Sequence, residues 1–368
     1  MLEEKVLKEK VLEEKAIQIQ YFLKSKVPAA ISALKRRNRR PLLLLEHAQQ
    51  HKMLSVTEQP FIHLHSGLDS IISEHGRSGD DRWCELWTAK GSWKQGKQAI
   101  KTGSGEAISY CFNEDFLIGS LAIQLSSEYS LQELSETCYG QIIDFIGTQG
   151  KPHLLRMWNY FPYINQLDNN LERYQQFCIG RHQAFVGKAI RYPAASAVGS
   201  YSSVMVIVFI ATAQAGLFVE NPEQLSAYHY PSYYSPKSPS FSRASVYQNS
   251  VTSQLYISGT ASIVGHESKF HGDIIGQTLQ TIKNLNRLIQ YTNDQETIEK
   301  PFNSSDTTVD PPAIKVYLRN PADLAIVAPL IEEFSPNCSN ICYLTADICR
   351  QELDIEIEMQ LNIRSDLI

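Results

Sequence analysis

No stretch of this 368-residue sequence is apolar for long enough to cross a bilayer as a helix. The most apolar run, Val204 to Ile210, is seven residues long, against the ~20 that a span requires. Cysteine is sparse and unpaired. The seven are scattered and odd in number, no CxxC occurs, and Cys338 and Cys342 stand four apart with no matching second pair and no His nearby. A disulfide framework or a structural zinc site is not expected. His63 and His65 lack a third ligand, so no metal is expected there either. Positive charge is not in excess: Lys plus Arg number 34, Asp plus Glu 39, for a net charge of −5. No overall field exists to hold a nucleic-acid backbone. P-loop, GxGxxG and HExxH strings are missing. The opening MLEEKVLKEKVLEEK is charged and unlike a secretory signal. These absences lead to the expectation of a soluble cytoplasmic protein with no membrane or nucleic-acid partner.

What is present is an ordinary globular composition, 43% hydrophobic and 20% charged, in a chain long enough for two or three domains. Residues 1–54 read as an extension: one charged helix over 1–27, then a basic cluster (Lys35, Arg36, Arg37, Arg39, Arg40) closed by Pro41. A solvated extension is the simpler reading of that cluster than a polyanion-binding patch. Two Ser- and Pro-rich stretches, 227–243 and 293–312, are expected to be loops. The first holds four tyrosines and a phenylalanine, which suggests that its rings pack against a core edge or a ligand.

Two segments read as diverged copies of one unit. The earlier runs Phe116–Gly119 (strand), Leu131–Ile146 (helix), His153–Phe161 (strand), Leu171–Phe185 (helix), Ala195–Val198 and Val204–Thr212 (strands). The later runs Leu255–Gly259, Gln277–Tyr291, Ala313–Leu318, Ala322–Phe334, Ile341–Thr345 and Leu353–Leu361 in the same order. This predicts an α+β protein of two domains, 55–220 and 221–368, each a mixed sheet with helices on one face. The copies differ in their last strand. LDIEIE puts Asp354, Glu356 and Glu358 on one face, whereas VMVIVFI has no carboxylate. From alternation alone, a solvated strand face is the commoner explanation of such a row.

Particular strings carry a resemblance. Ile257-Ser-Gly259, Asp273 with Gln277-Thr278, Asn284-Leu285, Lys315-Val-Tyr-Leu and the terminal Asp354–Glu358 look like the YjgF-like fold, whose subunits assemble as trimers with small carboxylate ligands in the clefts. Longer strings are similar to the chorismatase family: HLLRMWNYFPYIN from His153, LERYQQFCIGR from Leu171, YPAASAVG from Tyr192, Asn221-Pro222, PSFSRA from Pro239, ISGTASIVGH from Ile257 and Asp347-Ile-Cys349-Arg350. They span roughly residues 60–366. Lys237 and Ser232 depart from the family, which usually has Arg at both.

The resemblance implies two fused YjgF-like domains and an enzyme that cleaves chorismate, releasing pyruvate, with no metal or organic cofactor. Chorismate carries a ring carboxylate and an enolpyruvyl ether with a second carboxylate. Pyruvate release needs a proton on the ether's methylene carbon, giving an oxocarbenium-like centre that an oxygen nucleophile captures. The protein must supply a positioned acid and cations or aligned donors for two carboxylates. By the match, Glu356 is the acid. Arg181 and Arg243 are nominated for the carboxylates, Tyr230 and Tyr234 for the walls of the ring pocket, and Ala261 is set with the substrate-binding group. Cys349 is the position that separates product branches: Cys resembles enzymes forming 3-hydroxybenzoate, an aliphatic residue those that hydrolyse chorismate to a dihydroxycyclohexadiene carboxylate. The expectation is therefore 3-hydroxybenzoate and pyruvate, with some 4-hydroxybenzoate allowed for. Against it stand the hydrolase outcome and a YjgF-like protein that binds or deaminates small acids. Beside these roles stand plainer ones: Cys349 as a small buried apolar residue, and Arg181 or Arg243 as a structural Arg tying a loop to a carbonyl. A monomer is expected, with a trimer as the other assembly.

Overall fold

Each of two sheets in this chain has two apolar faces to bury, and the chain covers them in four layers. In the computed structural model, the described residues are 107–200, 204–249, 252–295, 298, 312–336, 338 and 340–364. To these are added the strands Leu54–Ser55, Phe61–Leu64, Ser70–His75, Trp83–Thr88 and Lys94–Ala99. The expected helix over 1–27, the basic cluster, the side chains of His63 and His65, and most of the loop 293–312 lie outside them. Both sheets belong to the compact unit Leu43–Ile368.

The first sheet uses β1 (Lys94–Ala99), β2 (Ala107–Phe112), β3 (Phe116–Gln124), β4 (His153–Pro162), β5 (Ala194–Ser200) and β6 (Val204–Thr212), in the order β5-β4-β6-β3-β2-β1. The second uses β7 (Leu217–Val219), β8 (Ala244–Gln248), β9 (Thr252–Thr260), β10 (Ala313–Leu318), β11 (Asn340–Thr345) and β12 (Ile355–Arg364). Its order is β11-β10-β12-β9-β8-β7, with Leu54–Ser55 beside β11. Helices α1 (Leu131–Thr148) and α2 (Arg173–Phe185) follow β3 and β4; α3 (Ile274–Asn293) and α4 (Leu324–Phe334) follow β9 and β10. The two halves thus share element order and strand order, including one parallel pair each, β4 with β5 and β10 with β11.

Local signals set the elements. Ser130 caps α1 in a reciprocal box with Glu133, and Asp273 caps α3 by accepting from Gly276 N–H at 3.0 Å. Gly180 lets α2 lie against the backbone of α1, where a Cβ would meet the Gln132 carbonyl. Helix α2 starts at Arg173, two residues after the expected Leu171, because Leu171–Glu172 pair with Leu167–Asp168 in a small hairpin.

The helices cover one face of each sheet. Leu117, Leu121, Met157, Phe161, Ile207 and Phe209 meet α1 and α2. Leu255, Ile257, Val316, Ile355 and Ile357 meet α3 and α4. The other faces pack on each other through Trp158, Tyr160, Val206, Val208, Tyr256 and Tyr317. Each such fully buried side chain contributes about 1.5–3 kcal/mol. The sheets also lock at the edge strand β5: its Ala194 and Ala195 N–H groups donate to Ser245 Oγ (2.8 Å) and Ser258 Oγ (2.9 Å). An exposed edge is thereby closed.

A candidate active site between the sheets

Strand β12 turns Ile355 and Ile357 toward the helices, so Glu356 and Glu358 point between the sheets, each only 4% exposed. The solvated carboxylate face favoured by alternation is not what forms, because the face that alternation left polar meets a second sheet. Asp354 does not join the row. It precedes the strand and is held by Gln277, accepting from Nε2 at 3.0 Å and donating its N–H to Oε1 at 2.8 Å.

The two buried glutamates live in opposite environments. Glu358 accepts from Arg156 Nη2 and Trp158 Nε1, both at 2.7 Å, and from Ser196 Oγ, with Lys315 Nζ at 3.0 Å. Burial raises a carboxyl pKa, but Lys315 and Arg156 outweigh it and hold Glu358 below the usual carboxylate range. Glu356 forms no ion pair with any described residue. Burial, and next the charge of Glu358, push it up to about 8, against the opposing pull of Arg156 and Arg243. The pair is one fixed anion beside one acid that keeps its proton near neutral pH.

Glu356 leans on Gly259 of β9. A Cβ there would overlap Glu356 Oε1, so only glycine admits the carboxyl in this pose. Beyond it opens a narrow cleft, about 400 Å³ in all when the solvent at its mouth is counted. Helix α2 supplies one wall through Tyr174, Phe177, Cys178 and Arg181, spaced i, i+3, i+4, i+7 on one face. Strand β5 supplies Ala195 to Ala197, and the opposite rim is Pro239 to Phe241. Ser240 Oγ is buried there without a hydrogen-bond partner.

Arg181 is 3% exposed and sits within 5.0–6.0 Å of the rings of Tyr139, Phe185 and Phe177. Its polar contact is Met157 Sδ at 4.0 Å, and its Nε has none. A desolvated guanidinium with no counter-ion among the described residues calls for an anion from outside. Arg243 is likewise buried. It donates to the Leu225 carbonyl (3.0 Å) and Tyr230 Oη (2.7 Å), and its Nε is unpartnered. Arg156, Arg181, Arg243 and Lys315 are all buried here, while Glu358 is the carboxylate held ionised. Burial also raises Glu220, with Arg243 pulling it the other way, and lowers Lys315, with Glu358 opposing. Four buried cations thus stand with three carboxylates, Glu220, Glu356 and Glu358.

Cys349 faces the cleft from the loop 346–354. Arg319 staples that loop, with Nη1 2.6 Å from Asp347 Oδ1 and donors to the carbonyls of Ile348 (3.2 Å), Arg350 (2.9 Å) and Leu353 (3.0 Å). Burial pushes the Cys349 thiol far above its ordinary value and the Cys178 thiol up to about 12. Neither is a thiolate nucleophile near neutral pH.

The structure thus brings Glu356, Cys349 and Arg181 to one cleft. Arg243 stands close enough to act electrostatically on Glu356, and Tyr230 is bound behind it. Tyr234 and Ala261 are not on the cleft wall. Tyr234 stacks under Arg350, 4.0 Å from its ring centroid, and lies 3.3 Å from His266 Nδ1. Ala261 is buried, its carbonyl accepting from Asn284 Nδ2 at 3.0 Å. His271 caps a turn at the Ser268 carbonyl. Ser232 and Lys237, the departures from family usage, are exposed. The clamp of Arg156, Ser196 and Lys315 was not singled out from the sequence. Its signal was a lone cation inside each of two apolar strands, HLLRMW and AIKVYL. Among the described residues, no three His, Cys, Asp or Glu are grouped to hold a metal ion, and no helix is long and apolar enough to cross a membrane.

Comparison with known proteins fits this geometry. The family description "Chorismatase FkbO/Hyg5-like, N-terminal" matches residues 85–211. A chorismatase of Streptomyces rapamycinicus is 33% identical over 324 residues, covering 86% of this chain and 90% of that protein. A 3-hydroxybenzoate synthase of Streptomyces hygroscopicus is 30% identical over 287 residues, 75% of this chain and 80% of that one. A chorismatase crystal structure superposes with a TM-score of 0.70 at 26% identity, covering 86% of this chain and 95% of its own.

Proposed function

The chain belongs to the chorismatase family, and from that premise we propose that it converts chorismate to 3-hydroxybenzoate and pyruvate. The observation that carries the reading is Glu356: a buried carboxyl, up at about 8, at the end of a cleft walled by an unpaired guanidinium. Glu356 donates its proton to the enolpyruvyl methylene carbon. Positive charge then develops on the ether carbon, and the fixed negative charge of Glu358 is close by to favour it. The ring hydroxyl beside the ether captures that centre and gives up its proton, which restores Glu356. Loss of the hydrogen on the ether-bearing ring carbon then breaks the bond between the captured oxygen and its ring carbon, the ring becomes aromatic, and the hemiketal left collapses to pyruvate and a phenolate that takes up the ring proton. The two products together contain the atoms of chorismate, so no water is consumed. The apolar walls from Phe177, Pro239 and Phe241 support this outcome over hydrolysis, because they leave little room for an attacking water.

Arg181 takes one substrate carboxylate, and Arg243 acts on the second or on Glu356 itself. Cys349 narrows the cleft where the capture step is decided. Tyr230 holds Arg243, while Tyr234 and Ala261 shape the surroundings of the cleft. The matching strand orders support two fused YjgF-like domains, but the expected bounds of 55–220 and 221–368 shift, because Leu217–Val219 and Leu54–Ser55 both pair in the sheet of the second copy. The first copy lends Arg181 and Ser196, the second Glu356 and Gly259, so one chain completes its own site. A monomer in the cytoplasm is the corresponding assembly and location, with a trimer as the alternative.

The test is to incubate the protein with chorismate, follow pyruvate with coupled lactate dehydrogenase, and identify the second product chromatographically. Equimolar pyruvate and 3-hydroxybenzoate are expected. A dihydroxycyclohexadiene carboxylate would mark the hydrolase, and no pyruvate would overturn the reading. With Glu356 as the acid, kcat/KM is expected to hold at low pH and fall as pH rises through about 8.

A further inference from the structure

We propose that the Arg156–Ser196–Glu358–Lys315 cluster is a positioning device for Glu356, fixing a negative charge on the same strand face and anchoring the glycine wall on which Glu356 rests. This rests on the reading of Glu356 as the acid. Its geometry does not.

The cluster is built from both sheets and closed on itself. Arg156 Nη2 donates to Glu358 Oε2 (2.7 Å) and to Ser196 Oγ (2.6 Å). Ser196 Oγ donates to Glu358 and accepts the Gly259 N–H at 2.9 Å. The chain Glu358–Ser196–Gly259 therefore ends at the backbone against which Glu356 packs. Lys315, paired across β10 and β12 with Glu358, closes the other side. Trp158 lies under both cations, 4.6 Å from Arg156 and 4.9 Å from Lys315. A carboxylate held by two cations and two neutral donors cannot take up a proton in place of its neighbour, so Glu356 is the member of the pair that titrates.

The groups around Glu356 agree. Arg156 on β4 and Arg243, just before β8, favour its ionised form; Glu358 on β12 opposes it. The thiol of Cys349 and the phenol of Tyr174 are both raised by burial and stay neutral. Arg181 faces the same cleft from α2. Among these, Glu358 is the one fixed anion. Without it, Arg156 and Lys315 would lose their counter-charge and pull Glu356 toward ionisation.

The experiment compares wild type with Glu358→Gln and Lys315→Met. Glu356 is titrated directly through its carboxyl carbon resonance in glutamate-labelled protein, assigned by its loss in Glu356→Gln. The pH profile of kcat/KM is recorded in parallel. Expected for E358Q is a downward shift of the Glu356 midpoint by about one pH unit or more, with the alkaline limb of kcat/KM moving with it. Activity would then fall about five-fold at pH 8, approaching about ten-fold at higher pH, and hardly at all at pH 6. For K315M the midpoint moves the opposite way, because Glu358 keeps its charge with less compensation. A merely structural cluster would lower activity equally at every pH and leave both midpoints in place, and that result overturns the inference. If E358Q does not fold, an unmoved midpoint in K315M overturns it alone. The titration needs no turnover, so a wild-type protein that releases no pyruvate sinks the proposed reaction without deciding the role of the cluster.

Discussion

Strands β6 and β12 occupy the same place in their two halves, and they have been put to different uses. Each lies between the strand after the first helix and the strand before it. Tyr160 pairs with Val206 in the first half and Tyr317 with Glu356 in the second; Trp158 pairs with Val208 and Lys315 with Glu358. The two tyrosines meet across the interface, Oη to Oη, at 3.3 Å. At matched positions one half has two valines and the other two glutamates. The valines finish a core. The glutamates make chemistry possible there because the valine half supplies Arg156, Trp158 and Ser196 to hold one of them. With the same strand order in both halves, one half keeps packing while the other stores charge.

Replacing Glu356 by Gln tests that contrast most severely. Turnover is expected to fall by about a thousand-fold or more, while the circular dichroism spectrum stays native. The folded value near 8 lies above the ordinary 4.5, so the native state holds an extra proton between those limits and stability declines as pH rises across them. E356Q should flatten that decline, so above pH 8 it melts higher than wild type. Equal melting curves there would mean that Glu356 is not buried as described. Gly259→Ala comes next. Its methyl overlaps the Glu356 carboxyl, and kcat should fall on the order of a hundred-fold with little change in KM. Arg181→Met should raise KM some 10–100-fold and leave stability equal or higher, since a buried cation without a counter-ion is removed. The matched control, Val206→Ala, reverses the pattern: a stability loss of roughly 2 kcal/mol by urea denaturation, with kcat/KM near wild type. A large kcat loss in V206A would erase the distinction between the strands. The smallest effect on rate is expected from Cys349→Val, where pyruvate release should persist and the ratio of hydroxybenzoate to dihydrodiol acid should change. An unchanged ratio would remove Cys349 from the branch point.

Much of this was readable in the order of residues. The strand Ala313–Leu318 and the strand Val204–Thr212 fall where periodicity placed them, and the helices begin at caps written as Ser130-x-x-Glu133 and Asp273. Glu356 and Arg181 stood out because they lie in long strings shared with a known family. Arg156, Ser196 and Lys315 were passed over because their partner, Glu358, is 202, 162 and 43 positions away in the chain. Tyr234 is set at the ligand by its place in the tyrosine-rich loop and Ala261 by the string it shares with the family, whereas the fold turns the first to Arg350 and the carbonyl of the second to Asn284.

What the residues determined unaided is local: which segments twist into helices or extend as strands, where they stop, and that only one of two similar closing strands carries acid groups. Whether those acid groups meet water or each other was decided by the docking of one sheet on the other. That docking removes solvent from both glutamates at once, and cations gathered from distant strands then settle which of the two keeps its hydrogen.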